Sequence, residues 1–350
     1  MRAVVYDAIG ATPELREVPD PQPSPDGVVI AVKATGVCRS DWHAWIGHED
    51  GLVLPHVPGH EFAGEIVAVG AEVTGWRPGE RVTVPFVCAC GECEPCRAGE
   101  AQVCANQYQP GFTGWGSFAD LVAVPRADLN LVGLPDELDF VAAAGLGCRF
   151  TTAYRAVLAQ GRLIADEWLV VFGCGGVGLA AVMIAESVGA RVVAVDPSPG
   201  ARTRAAELGA DLVLEPADGI GEQIRAATGS GAHVSLDALG SPGTCADALL
   251  SLRPRGRHVQ VGLLPTADGR SAVPMSAVIA RELEILGSHG MSAAGFTEVM
   301  ADIAAGRLQP SRLVGPTIRL ADAPAALVAA GGAGSPDAGG GAVVVDLTRD

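Results

Sequence analysis

Charge is scarce in this chain, and basic charge scarcest: 18% of its 350 residues are charged, and 24 Lys and Arg face 40 Asp and Glu, for a net charge of −16. A polyanion such as nucleic acid would be repelled by that field. The opening residues, Met1-Arg2-Ala3-Val4-Val5-Tyr6-Asp7, hold no apolar stretch before the first acid. No secretory signal is therefore expected, and a cytoplasmic protein with reduced thiols is expected instead of a disulfide-bonded one. No internal repeat stands out. One uncharged run, residues 168–185, approaches the length of a membrane span, but Gly173, Gly175, Gly176 and Gly178 divide it into a strand, a tight turn and a buried helix. No membrane association is expected. What the chain has in quantity is core: 49% apolar residues exclude a disordered polypeptide, and the length suits roughly two domains of about 150 residues.

Up to about Leu146, short alternating runs such as 27–32 and 65–69, broken by turn residues, predict a partly closed antiparallel β domain. From about Thr151 strands and helices alternate: strands at 169–172, 191–195, 212–214 and 233–237, and helices at 176–188, 201–208 and 220–227. That succession predicts an α/β doubly wound parallel sheet. Past Leu286 the regularity fades into a helix at 296–305, a Gly-rich loop at 331–341 and a last strand at 342–347. The expected division is thus 1–150, 151–286 and a return segment, 287–350, that rejoins the first domain.

Five of nine cysteines crowd into residues 88–104. Cys90, Cys93, Cys96 and Cys104 form C-x2-C-x2-C-x7-C with turn-forming Gly91, Pro95 and Gly99, a spacing that wraps one tetrahedral structural Zn²⁺. An iron–sulfur cluster or free thiols are the alternatives. Cys88 is left over. A scattered second group comprises Cys38, in Cys38-Arg39-Ser40-Asp41-Trp42-His43, then His60 in Gly59-His60-Glu61, and Cys148. Two thiolates and an imidazole would hold a zinc and leave a fourth position open, although each residue alone is also an ordinary core residue. Asp41 suits the carboxylate that orients a ligand imidazole, Ser40 and His43 suit a proton path, and Glu61 is either a supporting carboxylate or an alternate metal ligand.

Gly173-Cys174-Gly175-Gly176-Val177-Gly178 is a G-x-G-x-x-G that follows a strand, opens a helix and precedes Asp196 at the end of the next strand. Pyrophosphate would meet the helix N-terminus, and Asp196 would accept the adenosine ribose hydroxyls and repel a 2′-phosphate, which favours NAD over NADP. Arg202 and Arg204, close downstream, could soften that preference.

In motif order from Met1 to about Leu347, the chain resembles the zinc-dependent medium-chain alcohol dehydrogenases. The resemblance implies a GroES-like catalytic domain beside a Rossmann cofactor domain, with two Zn²⁺ per chain and NAD. It implies a catalytic zinc on Cys38, His60 and Cys148, a relay of Ser40 and His43, Arg39 on the pyrophosphate, and Thr152, Val261 and Gly262 near the nicotinamide. Where many relatives carry a lysine, this sequence has Ala201, so that ribose contact is missing or taken over by Arg202. Phe86 matches a substrate-pocket position, and Trp42, Trp45 and Trp115 are further pocket positions by location. With Tyr108 and Phe112, they concentrate the chain's few aromatics, which suggests an apolar or aromatic alcohol. The implied reaction is NAD-linked oxidation of a primary or secondary alcohol, or the reverse, in a homodimer or homotetramer. A polyol or sugar dehydrogenase, and a zinc-ribbon interaction protein with an inactive cofactor domain, are the competing readings.

Overall fold

The computed structural model describes residues 1–49, 51–264, 270–331 and 341–349. A ribbon of β1 (Arg2–Val5) and β2 (Glu14–Glu17) precedes β3 (Val28–Gly36), β4 (Phe62–Val69), β5 (Arg81–Thr83), β6 (Leu121–Val124) and β7 (Val132–Gly133). The parallel part follows with β8 (Trp168–Phe172), β9 (Arg191–Val195), β10 (Leu212–Leu214), β11 (Ala232–Asp237), β12 (Leu252–Gln260) and β13 (Glu284–Gly287). The tail adds β14 (Val314–Ile318) and β15 (Ala342–Asp346).

β8 to β13 form one parallel sheet in the order β10-β9-β8-β11-β12-β13, the doubly wound order. Its central strands serve two cores by alternation. Leu169 and Val171 of β8 and Val192 and Ala194 of β9 enter a core with the helices on one face, while Trp168, Val170, Phe172, Val193 and Val195 enter a core on the other. The helix Gly176–Ser187 is buried continuously from Gly178 to Ala185, so it shows no polar face. The uncharged run is thus a central strand, its turn and a sheathed helix. No helix among the described residues is long and apolar enough to cross a membrane.

The other sheet runs β14-β15-β3-β4-β5-β7, with β6 also paired to β3. β15 lies antiparallel to β3, Val345 opposite Thr35. Register shifts at Val29/Ile30 and Val32/Ala34 break the β3–β4 ladder, and β3 changes its other partner along its length, from β6 at Val28–Ala31 to β15 at Ala34–Gly36.

Several boundaries and elements differ from expectation. The helix expected at 201–208 spans Pro199–Glu207, because Ser198 caps it and accepts from Ala201 N at 3.3 Å with Pro199 as first helical residue. Asp196-Pro197-Ser198-Pro199 leads directly into that helix. Helices at Phe140–Ala144 and Arg149–Tyr154, the latter continued to Gln160, occupy the expected junction near residue 150. Pro242–Leu250, Met275–Arg281 and Ala323–Ala329 are further helices. Of the expected loop at 331–341, residues 332–340 lie outside the described residues.

Candidate functional site

Antiparallel register brings the first two residues of the scattered group together. Thr35 of β3 faces Phe62 of β4, and Gly36 N donates to Glu61 O at 2.7 Å, so Cys38, just past one strand, lies beside His60, just before the other. Cys148 arrives from a third direction, its neighbour Gly147 pinned through Phe86 N to Gly147 O at 2.9 Å. One ligand atom from each of Cys38, His60, Glu61 and Cys148 falls within 4.8 Å of the others.

Buried Asp41 fixes the geometry. Its Oδ2 accepts from Cys38 N at 3.0 Å, and its Oδ1 accepts from Gly59 N at 3.1 Å and from His60 Nδ1 at 2.8 Å. A carboxylate only accepts, so Nδ1 carries a proton and Nε2 is the nitrogen available to the thiols. Nε2 is buried and makes no hydrogen bond among the described residues. Burial disfavours a charged imidazole here, but Asp41 and the Cys38 sulfur outweigh it and hold the His60 pKa well above the ordinary range. The hydrogen bond from Cys148, working against burial, pulls the Cys38 thiol well below its ordinary range. A buried site that favours positive charge at an orphaned nitrogen beside a thiolate fits a cationic metal. Asp41→Asn should lower metal affinity by roughly 10- to 100-fold, read by competition with a chelator of known affinity.

The Glu61 carboxylate, within 4.8 Å of the other three ligand atoms, is shared with Arg149. Its Oε1 accepts from Arg149 N at 3.0 Å and Arg149 Nε at 2.9 Å, and its Oε2 pairs with the same guanidinium. Burial pushes its carboxyl up to about 7 in spite of Arg149. A Cβ at Gly36 would run into both members of this pair, and one at Gly176 would overlap Arg149 Cδ. Arg149 therefore reaches from the residue beside His60 to the first turn of the helix Gly176–Ser187. Sequence reasoning missed it, although it is the only charged residue between Phe140 and Tyr154.

At that helix the glycines have separate reasons. Gly173 has a left-handed φ of +90°, and a Cβ on Gly178 would overlap Gly173 O. Nothing lies within 4 Å of a Cβ on Gly175, so its outer side is open, and the first-turn N–H groups, including that of Val177, face outward without helical partners by construction. Asp196 accepts from Cys174 N at 2.7 Å and Ser198 N at 2.8 Å, which fixes its carboxylate beside the turn. Val261 and Gly262 follow β12 at the same edge of the sheet, both donating to Asp237 O, at 3.1 and 2.8 Å. Thr152 lies one turn beyond Cys148, and its Oγ1 is buried without a hydrogen bond among the described residues. An open glycine cradle, an anchored carboxylate and an orphaned hydroxyl fit a dinucleotide along this edge.

Arg202 stands one residue beyond Ala201, at the turn that holds Asp196. Its guanidinium donates to Asp196 O at 2.7 Å and Pro197 O at 2.9 Å and pairs with Glu215 at 3.5 Å, so it braces the turn from behind. Arg204 is tied to the tail through Arg312 O and Val314 O. Arg39 is exposed at the first position of the helix Arg39–Trp45.

In the cysteine lobe, Cys93 Sγ lies 3.3 Å from Cys96 Sγ and 3.7 Å from Cys104 Sγ, and Cys90 Sγ lies 4.0 Å from Cys96 Sγ. A tetrahedron with Zn–S bonds of about 2.3 Å has edges of about 3.8 Å. Sulfurs this close suit one ion rather than a cluster whose cysteines bind separate irons. The N–H groups of Glu92 and Cys93 hold the Cys90 thiol down to about 6, while burial and the Cys93 sulfur push Cys96 up to about 12. Cys88 faces Pro85 O and is pushed up to about 12 by burial, an inert thiol outside the lobe's ligand set.

Residues 24–136 match the family described as "Alcohol dehydrogenase GroES-like domain", and residues 176–305 that described as "Zinc-binding dehydrogenase". The alcohol dehydrogenase of Rhizobium meliloti (strain 1021) is 38% identical over 294 residues, 82% of this chain and 84% of that one. This chain belongs to the zinc-dependent medium-chain alcohol dehydrogenase family. The NAD-dependent alcohol dehydrogenase of Sulfurisphaera tokodaii is 34% identical over 335 residues, 92% of this chain and 94% of its own. The structure of the alcohol dehydrogenase from Thermus sp. ATN1 superposes with a TM-score of 0.87 at 30% identity over 99% of each chain.

In this dehydrogenase the aromatics divide. Phe86 and Phe112 meet the His60 ring at centroid distances of 6.3 and 5.0 Å, and His289 meets Phe86 at 5.2 Å. Tyr108 forms an isolated bridge with Cys88 and packs against a core that includes Val28 and Phe62. The tryptophans are placed otherwise. Trp42 sets its edge against His43 and His48, Trp45 donates from Nε1 to Ala11 O at 2.7 Å, and Trp115, 36% exposed, donates to Pro55 O at 3.0 Å. Trp42 and Trp45 pack against a core that includes Leu320 and Leu327. Among the described ring contacts, no tryptophan reaches His60.

Proposed function

We propose that this oxidoreductase catalyses NAD-linked oxidation of an apolar primary or secondary alcohol, or the reverse reduction, with one Zn²⁺ on Cys38, His60 and Cys148 and a second in the Cys90-Cys93-Cys96-Cys104 lobe. The observation that carries the reading is Arg149, which joins the residue beside His60 to the first turn of the dinucleotide helix. It ties the residue beside His60 to the turn that would hold the pyrophosphate, so a metal and a dinucleotide bound at these two sites would share one connected framework. Residues 1–150 and 287–350 are proposed as the catalytic unit and 151–286 as the cofactor unit, in line with the β15–β3 pairing.

Zinc would supply Lewis acidity toward the alcohol oxygen, and the nicotinamide the hydride acceptor. The chain's own groups do the rest. Asp41 fixes the His60 ring, and Ser40 Oγ, 3.8 Å from Cys38 Sγ, stands where it can take the proton of the reacting hydroxyl. His43, on the same helix face, passes that proton outward. Burial, then Arg39 and His48, lower the His43 pKa, so the ring is neutral and able to accept. Phe86 and Phe112 make the surroundings of the His60 ring apolar, which favours a hydrocarbon substituent over a polyol chain. In this reading Cys148 supplies the third ligand while Glu61 pairs with Arg149, in contrast to a carboxylate-ligated sugar dehydrogenase.

Asp196 carries the preference for NAD. Its loss in Asp196→Ser should weaken NAD by roughly 10- to 100-fold, the worth of hydrogen bonds to a charged acceptor, and improve NADP relative to it. Fluorescence titration with both reduced cofactors reads this directly. The overall assignment is tested with NAD and a panel of benzyl alcohol, cinnamyl alcohol, cyclohexanol, 1-butanol and sorbitol, followed by NADH absorbance. Activity on the apolar members supports it, and activity confined to sorbitol would transfer the chain to polyol chemistry.

A further inference from the structure

The helix Arg39–Trp45 ends in a cap whose consequence lies outside the metal and dinucleotide sites. Gly47 takes a left-handed φ of +86°, Gly47 N donates to Ala44 O at 3.1 Å, and His48 N donates to His43 O at 2.9 Å. This 5→2 and 6→1 pair of bonds is a Schellman motif, which lays the side chain of the residue after the glycine against that of the third residue from the helix end. Here both are histidines. Their Nδ1 atoms lie 2.9 Å apart and their rings stack at 5.1 Å, with Trp42 edge-on to both. His43 is half-buried and His48 exposed.

We propose that His48 is the outer proton station of this dehydrogenase, receiving from His43 the proton released in alcohol oxidation and delivering it to water. The inference rests on the Ser40–His43 relay proposed above. Nδ1 of one ring must donate to Nδ1 of the other, so the two rings form a continuous hydrogen-bonded pair. A proton from the Ser40 side adds at Nε2 of His43. The Nδ1–H bond of His43 then breaks as the Nδ1–H bond of His48 forms, and the Nε2–H bond of His48 is lost to water. One proton enters and one leaves, no electrons move, and exchange with water restores the starting tautomers once product has left. The two stations have the right contrast: burial keeps His43 poor at holding charge, while exposed His48 hands its proton to solvent.

The test is the burst of proton release after mixing the zinc-loaded enzyme with NAD and the panel alcohol that turns over fastest, followed with a pH-indicator dye. His48→Ala should slow the burst on the order of tenfold, less than loss of a primary acid–base group because water can replace an exposed station. Added imidazole should restore it, an effect that a merely structural histidine would not give. Zinc content and NAD affinity should be unchanged, since the capping bonds are main-chain bonds that survive the substitution. A burst of wild-type rate in His48→Ala, or a slowed burst that His48→Gln restores and imidazole does not, overturns the proposal. Ser40→Ala separates the two levels: normal turnover there removes the relay and this inference together, whereas slow turnover with a normal His48→Ala burst removes His48 alone.

Discussion

Ser40→Ala should lower kcat for alcohol oxidation by roughly 10²–10⁴-fold, the range of a positioned acid–base group, with zinc content and NAD affinity intact. The hydroxyl sits on the second residue of the helix that Cys38 begins, 3.8 Å from the Cys38 sulfur, and His43 follows three residues later on the same face. Alanine is a better helix former than serine, so the helix itself is kept. The loss should therefore appear in kcat with little change in substrate KM. Stopped-flow measurement of NADH formation separates this from slow product release, and a wild-type rate would remove Ser40 from the reaction.

The second large effect concerns stability. Arg149→Met should destabilise the chain by about 3–5 kcal/mol, because it leaves the Glu61 carboxylate buried without its partner. Both groups are almost wholly buried, and two glycines, Gly36 and Gly176, leave room for the pair. Removing both charges at once, in Arg149→Met with Glu61→Gln, should recover much of the loss, since the desolvation cost goes with the ions. Denaturant unfolding of the four proteins of the cycle measures the coupling. Equal stability of wild type and Arg149→Met would mean that the bridge between the two sites carries no energy.

How far the sequence discloses this arrangement depends on how local each signal is. The cysteine lobe and the glycine turn are read from spacing over a few residues, and β8 and β9 from short apolar runs bounded by turn residues. Asp41 and His60 required more, because only the Thr35–Phe62 register makes them neighbours. The helices at Phe140–Ala144 and Arg149–Tyr154 escaped notice because their residues are nearly all apolar or small, so burial erases the polar face that marks a helix. Arg149 escaped because its partner lies 88 residues away. Closeness in sequence to Cys38 suggested Trp42 and Trp45 as pocket positions, and only the fold shows that both also pack against the core formed with the tail. The His43–His48 contact depends on main-chain capping bonds at the end of the helix Arg39–Trp45, which residue types and spacing alone do not supply.

The central claim is that the site of Cys38, His60 and Cys148 holds a second zinc that the reaction needs. Metal analysis of the wild type and of His60→Ala, paired with NADH formation from the best panel alcohol, tests it most directly. The account predicts two zinc ions per wild-type chain, one in His60→Ala, and loss of turnover with the second ion. One zinc per active wild-type chain, or full turnover in the variant that has lost an ion, would contradict it.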